Sequence, residues 1–128
     1  MQINTHQTID PLLCGRPLDV GEGKSTVSLT ALSSMSADDS GLVHGGFVFG
    51  LADYAAMIAV NHPNVVLGAA DVKFLNPVLV GDTIVAHARV EEIQGKKPYV
   101  AVSVSRGDDT VFQGMFTCFA LEKHIVRP

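Results

Sequence analysis

The stretch Gly45 to Asn61, G-G-F-V-F-G-L-A-D-Y-A-A-M-I-A-V-N, constrains this chain more than any other. Nothing in it alternates with period two, and only Asp53, Tyr54 and Asn61 carry clearly polar side chains. A helix that is apolar almost all round is a buried helix. The spacing predicts one over 45–61, ended by Asn61 ahead of His62-Pro63, because proline disfavours helical backbone in the residue before it. At 128 residues the chain allows one domain, 1–128, and little else.

The flanking segments read as strands. Residues 1–22 are irregular, with a short strand expected at Leu18 to Val20. Ser25 to Leu32 alternates through Val27, Leu29 and Ala31 and reads as a half-buried strand before a polar loop, Ser33 to Gly41. After the helix come strands at Val65 to Phe74, Thr83 to Ile93, Tyr99 to Ser105 and Thr110 to Leu121. Pro77 with Gly81-Asp82, the loop Gln94 to Pro98, and Gly107 to Asp109 separate them. Short turns predict antiparallel pairing of these four strands in a meander. The expected architecture is α+β, one central helix wrapped by a curved antiparallel sheet. One such sheet cannot cover an apolar helix on every side, so a second copy of the chain is expected to cover the rest.

Composition excludes several functions. With a net charge of -4 the chain lacks the basic face that counterion displacement on nucleic acid requires. No apolar run is long enough to span a bilayer, and the polar start, Met1 to Asp10, lacks a signal-peptide core. Cys14 and Cys118 are far apart and without C-x-x-C spacing, which points to a reducing cytoplasm. His6, His62, His87 and His124 show no ligand spacing, so no metal site is expected.

The chemistry is concentrated at His44-Gly45-Gly46 and Asp53. The first amides of a helix have no internal partners and carry partial positive charge. Two glycines leave them open to an approaching carbonyl oxygen, as in an oxyanion hole, although the same pair also serves a plain loop-to-helix turn. Asp53 in the middle of an apolar helix is costly to bury unless it is paired or put to use. A solvent-facing carboxylate is the alternative.

H-G-G-F-V-F-G-L-A-D, that is H-G-G, six residues, then Asp, strongly resembles the signature of the hot-dog-fold acyl-CoA thioesterases of the PaaI-like type. V-K-F-L-N-P-V-L-V-G-D, residues 72–82, matches the strand and turn that follow in that family. The resemblance covers roughly residues 15–121. It implies the hot-dog fold, a homodimer or dimer of dimers, and hydrolysis of an acyl-CoA thioester without a cofactor. It also implies Asp53 as nucleophile or general base, the Gly46 amide as oxyanion donor, and His44 as a loop-shaping residue. Substrate contacts are implied at Gly45, Gly68, Gly95, Lys96 and Lys97, the last two meeting the CoA phosphates; from the sequence alone Lys96-Lys97 also reads as a solvated hairpin tip.

One departure is Asp38, six residues before His44, where the family often has Asn. A second carboxylate beside Asp53 would disfavour its ionised form. T-V-F-Q-G-M-F-T-C-F, residues 110–119, also resembles the ligand-binding domain of the fatty-acid regulator FapR, which shares the fold but lacks the catalytic Asp. That likeness keeps a non-catalytic acyl-CoA-binding module as the alternative. Asp39 and His44 have the D-x4-H spacing of hot-dog enoyl-CoA hydratases, but D-S-G-L-V-H lacks the Asn-Pro those carry before the His.

Overall fold

A computed structural model describes residues 1–127. The elements run α1 (Pro11–Cys14), β1 (Arg16–Gly21), β2 (Lys24–Thr30), a 3-10 turn (Ser33–Met35), α2 (Gly45–Val60), β3 (Val65–Phe74), β4 (Thr83–Gln94), β5 (Lys97–Arg106) and β6 (Asp109–Ala120). All strand pairs are antiparallel, in one six-stranded sheet of order β1-β2-β4-β5-β6-β3.

Three expectations are corrected. The four later strands are not one meander: β4, β5 and β6 follow in order, but β3 lies beyond β6 at the sheet edge. The segment 75–82 carries the chain across to β4, so turn length alone could not tell a neighbour from a crossover. The N-terminal region is more ordered than expected, with Asp10 capping α1 by accepting from the Leu12 N–H. The polar loop 33–41 contains fully buried Met35, whose carbonyl accepts from the His44 N–H and so helps to position the start of α2.

Helix α2 starts at His44, which makes no side-chain cap, and stops at Asn61 in left-handed conformation, with its N–H on the Met57 carbonyl. Asn tolerates that backbone better than most residues. Its buried residues run from Val48 through Leu51, Ala52 and the block Tyr54 to Ala59. The helix packs chiefly on β2, β4 and β5. Inward side chains at Val27, Ile84, Val100, Val104, Phe112 and Phe116 are all but inaccessible to water. Ser25 is buried among them and donates to the Ala55 carbonyl at 2.7 Å, satisfying its hydroxyl while pinning β2 to the helix.

The covering is one-sided. Gly46, Gly50 and Asp53 sit four and three residues apart and share a helix face that the sheet leaves open. Beside it, Gly68 to Asp71 of β3 are exposed in succession.

Candidate active site

Strand β3 runs antiparallel to α2. A Cβ on Gly45 would come 3.1 Å from the Phe74 ring, while Val65 bonds back to His62 just beyond the helix end. Two clefts open along this pair. Near the helix start, Leu42, Gly45, Val48, Phe74 and Leu75 line an apolar hollow of about 330 Å³. Toward the helix end a cleft of about 680 Å³ lies between α2, the start of β3, the arm Thr5 to Thr8 and the tail His124 to Arg127.

Asp53 lines the larger cleft. Its Oδ1 is buried and has no hydrogen-bond partner among the described residues. Burial pushes its pKa from 3.8 up to about 6. A carboxylate in this state is a competent proton acceptor near neutral pH, and the residue lines a space large enough for a ligand. Burial and the Asp53 charge push the Cys118 thiol up to about 12, so it stays protonated rather than acting as a nucleophile.

His44 and Gly46 lie at the other end of the open helix face. A Cβ on Gly46 would sit 3.3 Å from His44 Nε2, so the ring lies against that glycine while remaining exposed. Gly46 stands in the first turn, where an N–H has no carbonyl to meet within the helix. It is seven residues from Asp53, nearly two full turns, which is about 10 Å along the same face.

The hairpin residues are grouped near the larger cleft. Gly95 turns the chain with a φ of 63°. Lys96 pairs with Glu122 at 2.9 Å, and the Glu122 carbonyl accepts from Asn64, a cleft residue. Lys97 Nζ lies 5.5 Å from the centre of the Phe119 ring. Gly68 belongs to the same cluster: a Cβ there would collide with Phe119, so glycine lets that ring lie across β3. The expected hairpin loop 94–98 is only Gly95-Lys96, with Pro98 inside β5.

Asp38 does not join Asp53 within the chain. It is exposed and accepts from the Ser40 N–H and hydroxyl, which hold its pKa down. Asp39 is also exposed, and no Asp39–His44 hydrogen bond exists among the described residues. The sequence reading missed His6. It lines the Asp53 cleft, its ring centre 6.3 Å from that of Tyr54. No local motif marks it, because it is placed by Asn61, far along the chain.

The model of the thioesterase superfamily matches residues 40–113. A protein from Aquifex aeolicus named methylthioribose-1-phosphate isomerase is 55% identical over 123 residues, covering 95% of this chain but 27% of that protein. The transcription factor FapR of Caldanaerobacter subterraneus is 30% identical over 114 residues, 88% of this chain and 57% of that one. The chain thus spans only about a quarter and somewhat over half of these relatives. Among solved structures, the uncharacterized protein PH1136 from Pyrococcus horikoshii is 49% identical, covering 98% of this chain and 97% of that one, with a TM-score of 0.97. The PaaI protein of the Escherichia coli phenylacetic acid degradation operon is 25% identical, with coverage of 88% and 83% and a TM-score of 0.80.

Proposed function

The chain belongs to the thioesterase superfamily and has its hot-dog fold, and from that premise we propose that it hydrolyses an acyl-CoA thioester to the free acid and CoA. The observation that carries this reading is Asp53: a half-buried carboxylate with a raised pKa and an unpartnered oxygen, lining the larger cleft. Asp53 either takes a proton from the attacking water or attacks the carbonyl carbon itself. A helix-start amide at Gly46 stabilises the negative charge that develops on the carbonyl oxygen. Hydrolysis then needs water, a base and charge stabilisation, and no cofactor.

The site is shared between two chains. A thioester whose carbonyl meets the Gly46 amide needs its attacking group within about 3.5 Å. Asp53 of the same helix lies too far along the axis. An antiparallel α2 from a second copy brings its Asp53 beside that amide, and the small residues Gly46 and Gly50 permit close approach. The exposed edge of β3 supplies unpaired backbone groups for the same contact. The apolar hollow at Gly45 suits an apolar acyl group, and Lys96 and Lys97, near the larger cleft, suit the CoA phosphates. The two free cysteines fit a cytoplasmic setting.

Asp53→Asn is the direct test. It keeps the volume and removes the base or nucleophile, so kcat falls at least about 10²-fold with the fold intact. Near-full hydrolysis by the variant would remove Asp53 from the mechanism. The likeness to FapR supports a second reading, a non-catalytic acyl-CoA-binding module. That reading predicts saturable binding by the wild type with no thiol release across an acyl-CoA panel.

A further inference from the structure

The first ten residues form an arm tied to the end of α2. The Asn4 N–H donates to Asn61 Oδ1 at 2.7 Å, and Asn61 Nδ2 donates to the Gln2 carbonyl at 2.7 Å. One amide side chain thus grips the arm at two points, and its own backbone is the left-handed stop of the helix. The grip sets the arm beside the end of α2, where Thr5 to Thr8 line the Asp53 cleft. There His6 adopts a φ of 54°, the only non-glycine residue besides Asn61 in the left-handed region among those described. A histidine held in that conformation stores strain that its surroundings must impose.

The turn presents the imidazole to the Asp53 cleft. Thr5 is buried, and its Oγ1 lies 2.8 Å from His6 Nδ1. That hydroxyl has no other hydrogen-bond partner among the described residues; with the hydroxyl as donor, its single proton is satisfied by Nδ1. The ring then carries its own proton on Nε2, which has no hydrogen-bond partner among the described residues. Asp53 lines the same cleft, and its carboxylate accepts no hydrogen bond among the described residues. A donor and an acceptor left free in one cleft form a holder for a small polar molecule.

We propose that His6 belongs to the reaction centre and, through Nε2–H, holds the water that Asp53 activates. The assignment rests on the hydrolytic reading of Asp53. The held water gives one proton to the Asp53 carboxylate while its oxygen bonds to the thioester carbonyl carbon. When the tetrahedral adduct collapses, the carbon–sulfur bond breaks and the sulfur takes that proton back from Asp53. His6 gains and loses nothing. Burial lowers the His6 pKa from its ordinary value, which keeps the ring neutral and preserves the Thr5 bond to Nδ1. The charged and titratable groups around it are Asp53 and Tyr54 on α2 and His124 and Arg127 on the C-terminal tail. His124 Nδ1 accepts from the Val126 N–H within that tail.

The test uses five variants of the full chain, Asp53→Asn among them, with an acyl-CoA the wild type turns over. His6→Asn retains a residue suited to the left-handed turn but shortens the side chain. It should lower kcat by about 10- to 100-fold with KM within about twofold, since a positioned water matters to the chemical step rather than to ground-state binding. His6→Gln, which keeps an N–H donor at similar reach, should recover at least a third of that loss on a logarithmic scale. Thr5→Val should lower kcat by about 5-fold, and His124→Ala should leave it within about twofold. In parallel, the imidazole of His6 is titrated by NMR in wild type and in Asp53→Asn. Loss of the facing carboxylate should move its midpoint down.

If His6→Asn keeps wild-type kcat while Asp53→Asn loses turnover, His6 is outside the reaction and the Asp53 reading stands. An effect carried by His124 in place of His6 likewise overturns the assignment. If the wild type turns nothing over, or Asp53→Asn stays active, the hydrolytic reading fails and this assignment with it. An unchanged His6 midpoint in Asp53→Asn overturns the juxtaposition itself, whatever the kinetics.

Discussion

Strands β3 and β5 are each ten residues long and lie in the same sheet, yet their surfaces differ. From Pro98 to Val104, β5 buries every second side chain against α2. Strand β3 leaves Gly68, Ala69, Ala70 and Asp71 exposed in succession, with Phe74 55% exposed at its end. The β5 half of the molecule is finished within one chain. The β3 half keeps an unpaired strand edge and, beside it, the open Gly46–Gly50–Asp53 face of α2, and the proposed base and oxyanion donor lie there. Stability and function are thus drawn from opposite halves of the helix, and each can be broken separately.

On the finished half, Phe116→Ala removes a fully buried ring packed against Phe49 and Phe112. It should cost about 3–5 kcal/mol in denaturant unfolding. Phe74→Ala, on the unfinished half, should cost much less at low protein concentration. A cost that grows with concentration would report a second copy covering that ring.

The pH response of Asp53 comes next in size. The fold raises this carboxyl from 3.8 to about 6. Between those values the native state binds more protons than the unfolded chain, so stability falls as pH rises through the window and levels off above it. At neutral pH the buried charge costs about 3 kcal/mol. Asp53→Asn should therefore unfold at higher denaturant than wild type at pH 7, with the difference closing by pH 4. In wild type, kcat/KM should rise through about pH 6 as the carboxylate forms. A stability difference that does not vary with pH would contradict its burial.

Subunit mixing tests whether the unfinished half is completed by a second copy. Asp53→Ala and Gly46→Pro homodimers should each be nearly inactive; the proline deletes the first-turn N–H where a helix best tolerates it. After exchange, half the dimers are mixed, each with one intact site of two, so about a quarter of wild-type activity should return. Folded, exchanged and still inactive mixtures would place both groups within one chain.

The smallest effect is expected at the hairpin. Lys96→Ala with Lys97→Ala should raise the KM for acyl-CoA several-fold, about 1 kcal/mol, with little change in kcat, and less so at high salt. Stability should barely move, since the Lys96–Glu122 pair is exposed. An unchanged KM at low salt would move the phosphates elsewhere.

The buried helix, the strand alternation and the H-G-G-x6-D spacing along that helix were legible in the sequence because each is a local pattern. Apolar periodicity sets which faces are hidden, and a carboxylate inside such a run stands out whatever the chain does elsewhere. Three features were decided only by the tertiary structure. The place of β3 beyond β6 depends on a crossover that no turn residue encodes. Gly68 is singled out in the sequence only by the family resemblance, as a substrate contact, and its packing role is seen only when the Phe119 ring lies across it. His6 carries no motif: its position comes from Asn61, 55 positions along the chain, which grips the arm at Gln2 and Asn4. Local propensity acts between neighbours in sequence. The cleft is built from contacts between residues that become neighbours only when the chain has folded.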